Sequence, residues 1–343
     1  MKKLQPVMIS LVWFSLLITG CSRSGGPDVL EFSGPTMGTW YTVKVVDLPK
    51  TTTPEAVAQV IEEQLNNVNG KMSTYQPESE LSRFNQTAPG ELFTVSSDTF
   101  EVLTKSLEIW RLSQGAFDIT IGPLVNLWGF GPDGRPEKIP GKKEMKAAWG
   151  RVGADRLSLH IDDLQIVKQK DLYLDLSAIA KGYAVDRVAQ ALENMGIRRY
   201  LVEVGGEIRA GNSKAHDLSW QVAVEEPISN LRQIHKVIKL DNAAMATSGD
   251  YRNYYEYQGR RYSHTIDPRN GRPVDHKVAS ASVIMPLCAD ADAWATAMMV
   301  LGPEQGMEVA EANHIAVYML LKSEQGFESI HSTAFERYLQ EAR

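Results

Sequence analysis

Beyond residue 21 this chain carries a single cysteine, Cys288, so no internal disulfide holds it and the fold must rest on packing alone. The start of the chain sharpens that constraint. It reads as an export signal, and exported proteins are the ones that ordinarily use disulfides. Met1-Lys2-Lys3 is a basic start. Residues 7–18 are apolar except for Ser10 and Ser15, and Leu17-Ile18-Thr19-Gly20-Cys21 closes the run on small residues. The run is shorter than the about 20 apolar residues a membrane-spanning helix needs. Cys288 sits in the apolar stretch 282–288 and reads as a small buried hydrophobe. With 43% hydrophobic residues, the chain has the material for a sizeable core, as one large or two small domains after the leader. A formal charge of −6, with no basic block after the leader, argues against nucleic acid as a partner.

Residues 21–28, rich in Ser, Gly and Pro, read as a tether. Strand-like patterning covers 29–47, interrupted at 34–39. Spacing predicts a helix over 54–69, with apolar Val57, Val60, Ile61, Leu65 and Val68 at near-helical spacing. A polar loop over 72–85 follows, then a helix capped by Ser97 or Asp98 and running to about 113. Residues 122–141, rich in Gly, Pro and aromatics, read as a surface loop. A hairpin is expected over 164–176, where Leu172, Leu174 and Leu176 alternate, and a helix over 177–195 stopped by Gly196. Short strands fill 200–285, an Ala-rich helix 290–301, and a strand and helix close the chain. Many strands without regular βαβ alternation place the chain in the α+β class. The expectation is a single domain over 29–343 with a central antiparallel-rich sheet flanked by helices.

Four constellations could carry chemistry. In the run from Asp175 to Asp186 a strand ends on a carboxylate, small residues open a helix, and Lys181 lies in its first turn. Free N–H groups and a cation there suit a phosphate; a plain strand-to-helix turn with a solvated lysine is the competing reading. In Ala289-Asp290-Ala291-Asp292-Ala293-Trp294-Ala295-Thr296, Asp292 and Thr296 share a helix face. Carboxylate and hydroxyl are hard oxygen donors that suit Mg²⁺; alternatively Asp290 or Asp292 only caps the helix. His264, before Ile266-Asp267-Pro268, is either a ligand contact or base, or a structural histidine. Gly205-Gly206-Glu207 permits close approach of a ligand or forms a bulge, and Thr247-Ser248-Gly249 offers a polar rim. No Walker A loop, zinc-spaced cluster or Gly-x-Ser-x-Gly elbow is present.

Taken in order, Thr36-Met37-Gly38-Thr39, Met72-Ser73-Thr74-Tyr75, Ser82-Arg83-Phe84-Asn85, Ala116-Phe117-Asp118-Ile119-Thr120 with Gly122-Pro123-Leu124-Val125, the Asp175–Asp186 run, Gly205-Gly206, His264-Thr265-Ile266-Asp267-Pro268 and Ala291-Asp292-Ala293 resemble the ApbE-type FAD:protein FMN transferases. The resemblance implies that FAD is cleaved at its pyrophosphate with Mg²⁺, FMN is joined through a phosphoester to a Thr or Ser of an acceptor protein, and AMP leaves. It implies acceptors among subunits of membrane respiratory complexes facing the periplasm. Met37, Tyr75, Ala116, Phe117, Asp118, Asp175, Lys181, His264 and Ile266 would then contact FAD. The backbone carbonyl of Ala178, the Asp292 carboxylate and the Thr296 hydroxyl would hold the metal. Asp292 and His264 are the candidate catalytic groups. Glu207 departs from the Asp that many relatives carry after the paired glycines. Cys21 after small residues resembles a bacterial lipobox, which implies acylation of Cys21 after removal of residues 1–20 and anchoring on the periplasmic side. Ser22 at the next position favours the outer membrane. Two other activities fit the same residues: an FAD pyrophosphatase making FMN and AMP, and a flavin-binding lipoprotein without turnover.

Overall fold

Alternating side chains build an eight-stranded antiparallel sheet at the centre of the computed structural model, which describes residues 28–131, 139–215, 218–228, 233–250 and 253–340. The leader, Cys21 and most of the tether lie outside the described residues. The strands run in spatial order β1 (Val29–Thr36), β2 (Thr39–Val46), β3 (Arg199–Val204), β4 (Glu207–Ala210), β5 (Ala243–Gly249), β6 (Val278–Met285), β7 (Ala316–Ser323) and β8 (Gly326–His331). Each pairs antiparallel with the next. Successive residues point to opposite faces. Ala244 and Ala246 enter the larger core, while Ala243 and Met245 enter a second core on the other face. Because both faces are covered, β6 is apolar and buried almost throughout.

The helices among the described residues are α1 (Pro54–Met72), α2 (Glu80–Gln86), α3 (Ser97–Leu112), α4 (Gly122–Leu127), α5 (Lys142–Trp149), α6 (Ala180–Asn194), α7 (Cys288–Ala312) and α8 (Glu336–Gln340); α1, α6 and α7 supply most of the helical packing on the first face, whereas α8 packs with the second core. Thr53 caps α1 through the Ala56 N–H, and Pro54 occupies the first helical position, where a missing N–H costs nothing. The ribbon Trp220–Glu225 with Ile234–Leu240 covers the second face. A third, small core gathers Leu124, Trp128, Val152 and Ile266 around α4 and α5. This is the expected α+β domain with an antiparallel sheet. No helix among the described residues is long and apolar enough to cross a membrane.

Five local expectations need correction. The polar stretch 72–85 contains the start of α2, capped by Ser79 through the Ser82 N–H. The loop 122–141 opens with α4, which Pro123 starts, and is followed by α5. The hairpin lies earlier than 164–176. Leu157–His160 pairs with Gln165–Lys168, while Leu172, Leu174 and Leu176 are buried in alternation on a segment that joins no strand. The helix of 177–195 begins at Ala180 after a turn at 177–179. The helix of 290–301 is the first half of α7, which bends at Gly302 (φ 77°) before Pro303 and continues to Ala312.

Candidate active site

A cleft of about 440 Å³ opens where several pieces of chain converge, among them the loop after α3, the segment before α6, the turn between β3 and β4, the end of β5, the stretch 264–268 and the first half of α7. Its volume falls in the range of small-molecule sites. The turn between β3 and β4 is the two-residue loop Gly205-Gly206, with φ 64° and 108°, a conformation open to glycine. It delivers Glu207 to the cleft wall as the first residue of β4. Asp292, Thr296 and Val300 recur every four residues along α7 and face the same space.

The corner between α6 and α7 is built on close approach. A Cβ on Gly182 would overlap the Cys288 carbonyl and come within 2.8 Å of the Asp292 Cβ. Contact at this distance lets the Gly182 N–H donate to Asp292 Oδ2 at 3.0 Å. In a regular helix that N–H would serve the carbonyl four residues back, Ala178. Among the described residues nothing else donates to the Ala178 carbonyl. One glycine therefore both seats the Asp292 carboxylate and releases a backbone oxygen. The start of α7 is fixed by Asp186 of α6, whose carboxylate accepts from the Cys288 N–H (3.0 Å) and the Ala289 N–H (2.9 Å) and pairs with Arg209 at 2.8 Å.

Lys181 bridges two carboxylates, 3.0 Å from Glu207 Oε1 and 3.6 Å from Asp292 Oδ2. Burial alone would lower its pKa, but the two carboxylates outweigh burial and raise it, keeping the ammonium charged. Burial pushes the Glu207 carboxyl up to about 8, against the pull of Lys181 and with the help of Asp292. Glu207 Oε2 is buried and has no hydrogen-bond partner among the described residues. The Thr296 hydroxyl lies 3.3 Å from that of Ser248. His264 meets the Asn253 carbonyl through Nδ1 at 2.9 Å, and a carbonyl only accepts, so Nδ1 carries the proton. Burial holds the ring pKa below its ordinary value, leaving a neutral imidazole whose Nε2 can accept a proton.

The structure brings together in this cleft Tyr75, Ala116, Phe117 and Asp118 from the first half of the chain. It adds Asp175, Ala178, Lys181, His264, Ile266, Asp292 and Thr296 from the second. Met37 is not among the lining residues. It sits at φ 47° in the tight turn between β1 and β2 and packs against the main core. Asp118 lines the cleft with its carboxylate already engaged, by the Thr120 N–H and hydroxyl on Oδ1 and the Ala154 N–H on Oδ2. Tyr75 is 68% exposed at the mouth, close enough to Asp175 that burial and this charge raise its phenol pKa. Phe130, edge-on to His264, belongs to the wall and was hidden inside the 122–141 loop. No group of three His, Cys, Asp or Glu side chains that could hold a metal exists among the described residues. The oxygens of Ala178, Asp292 and Thr296 are a different kind of set, one carboxylate with neutral oxygens, and such hard donors fit Mg²⁺, which completes its shell with water and phosphate.

The model of the ApbE family matches residues 37–319. The chain is 43% identical over 324 residues to the FAD:protein FMN transferase of Vibrio cholerae, covering 94% of this chain and 96% of that protein. To the FAD:protein FMN transferase of Haemophilus influenzae it is 42% identical over 343 residues, covering 98% of each. The solved flavin transferase ApbE from Vibrio cholerae has the same fold at a TM-score of 0.84, with 42% identity over 91% of this chain and 99% of that one. A match that spans nearly the whole sheet and every wall of the cleft leaves one conclusion, that this chain belongs to the ApbE family.

Proposed function

We propose that the protein transfers FMN from FAD to a Thr or Ser hydroxyl of an acceptor protein, forming a phosphoester and releasing AMP. The observation that carries this reading is the α6–α7 corner. There the Gly182 N–H turns from the Ala178 carbonyl to Asp292, and three hard oxygens and the Lys181 ammonium converge on one cleft. Phosphoryl transfer asks little covalent work of a protein; it asks for charge neutralisation and in-line positioning. Ala178, Asp292 and Thr296 would hold Mg²⁺, which when bound neutralises pyrophosphate charge. Lys181 adds a second cation, and Glu207 keeps its ammonium aimed at the cleft. Aromatic and apolar groups at Phe117, Phe130 and Ile266 give a flat heteroaromatic ring an apolar wall. His264 Nε2, neutral and unprotonated, is suited to take the proton of the attacking hydroxyl. The same reading places the enzyme on the periplasmic side, held by acyl groups on Cys21, beside respiratory-complex acceptors.

The test is incubation of the purified protein with FAD, Mg²⁺ and a purified acceptor subunit, followed by the mass of the acceptor. A gain of one FMN phosphoester that disappears with EDTA is the expected result. Free FMN and AMP with an unmodified acceptor would replace transfer by hydrolysis. Intact FAD would leave a binding protein.

A further inference from the structure

Asp175 reaches the cleft on segment 172–176, which belongs to no strand. Its backbone is paired instead to a side chain. Asn85, in the last turn of α2, accepts the Leu174 N–H through Oδ1 at 2.7 Å and donates through Nδ2 to the Leu174 carbonyl at 2.9 Å. These are the two bonds that a residue of a neighbouring antiparallel strand would exchange with Leu174. The Asn85 backbone is pinned as well. Buried Lys168 donates to the Asn85 carbonyl at 2.8 Å and to the Leu172 carbonyl at 3.2 Å, clamping the two segments together. Leu172, Leu174 and Leu176 are fully buried, which fixes the rotation of the segment about its own axis. At the next residue the Asp175 N–H donates to the Ile119 carbonyl at 2.7 Å, and Asp175 Oδ1 accepts from the Ser177 N–H at 2.9 Å. The remaining Asp175 oxygen takes no hydrogen bond among the described residues and is left for a ligand.

We propose that Asn85 is a positioning residue for the nucleotide site: its carboxamide stands in for a missing strand neighbour and sets where the Asp175 carboxylate sits in the cleft wall. The chemistry is particular to this side chain. A planar amide carries a donor and an acceptor side by side, whereas a carboxylate lacks the donor and a hydroxyl is too short to span both groups. This accounts for the Asn of the Ser82-Arg83-Phe84-Asn85 motif, which lines no part of the cleft. The inference rests on the cleft being the FAD site.

The experiment is a double-mutant cycle on FAD affinity, measured with EDTA and without acceptor so that no turnover occurs, together with thermal unfolding of each protein. Asn85→Ala should weaken FAD about tenfold, and Asp175→Ala at least as much. The double variant should bind no more weakly than Asp175→Ala alone, because Asn85 acts through Asp175. Asn85→Asp, which keeps the acceptor and loses the donor, should fall between native and Asn85→Ala, and it carries the cycle should Asn85→Ala not fold. Additive losses in the double variant, or native affinity in a folded Asn85 variant, overturn the positioning role while leaving the FAD site intact. Failure of the native protein to bind FAD overturns the site and the role together.

Discussion

Two buried acidic clusters sit at opposite sides of α6 and are built in opposite ways. At Asp98, on α3, both carboxylate oxygens are taken: Oδ1 by the Tyr183 hydroxyl at 2.8 Å, Oδ2 by Lys71 and, at 3.4 Å, by Asn67. At Asp292 and Glu207, one oxygen of each carboxylate meets Lys181 and the other has no hydrogen-bond partner among the described residues. A buried carboxylate with every lone pair satisfied is architecture, joining α1, α3 and α6. One left partly unsatisfied beside a cleft is costly unless something else completes it. The two clusters also respond oppositely to protons. Burial would raise Asp98, but the hydrogen bonds from Lys71 and Tyr183 and the charges of Lys71 and Arg187 hold it below its ordinary value, whereas Glu207 is pushed up to about 8.

The contrast can be broken most decisively at the open cluster. Asp292→Ala should lower transfer on the order of 10²-fold or more, through loss of several kcal/mol of charge stabilisation, and remove its Mg²⁺ dependence. A variant with native activity at ordinary Mg²⁺ would end the metal assignment. Next comes the closed pair that seats α7. Asp186→Ala leaves the Arg209 guanidinium only its longer pair with Glu193 at 3.6 Å and strands two helix N–H groups, and should cost about 3–5 kcal/mol in urea unfolding. A change below about 1 kcal/mol would show that α7 is held by packing alone.

Proton linkage sharpens the comparison further. Asp98, with its pKa depressed in the fold, contributes stability above pH 3.8 that is lost as pH falls through its folded value. Asp98→Asn should cost about 1.5–3 kcal/mol at pH 7, and the gap to the native protein should close in acid. Glu207, with its pKa raised, favours the fold while protonated, so its contribution is full below pH 4.5 and declines as pH rises to about 8. With EDTA present, Glu207→Gln should flatten the stability profile between those values, the opposite limb from Asp98→Asn. Identical profiles for the two variants would erase the distinction. The smallest effect belongs to Cys288. It is fully buried, with its thiol pushed up by burial and by Asp186, Asp292 and Glu207, so alkylating reagents should leave the native thiol unmodified. Cys288→Ala should cost about 1 kcal/mol, the scale of a methyl-sized cavity.

The elements legible in the sequence were those whose signal is local. α1 announces itself by apolar spacing and α3 by its polar start, although Ser96 caps it rather than the expected Ser97 or Asp98, and the paired glycines at 205–206 form a hairpin turn rather than a bulge. The candidate residues were legible as motifs, and the fold gathers all but Met37 of those expected to meet FAD or metal into one cleft, from positions as far apart as Tyr75 and Thr296. What escaped is the kind of pairing that no local pattern encodes. The 172–176 segment has the alternation of a strand, yet its partner is the Asn85 side chain. Phe130 looked like one aromatic in a loop until α4 and the turn after Ile266 enclosed it.

By itself the sequence determined the α+β class, the period-two faces of the sheet and the i, i+4 alignment of Asp292 with Thr296. These follow from covalent geometry and from hydrophobic period, which act within a few residues. Only the tertiary structure decided that Gly182 would turn its N–H from Ala178 to Asp292, that Lys181 would stand between two carboxylates, and that Asp186 rather than a residue of α7 would cap α7. The reason is physical. Each of these turns on the distance between helices α6 and α7, which is set by a glycine without a Cβ and by a core packed on both sides, and no spacing along the chain specifies it.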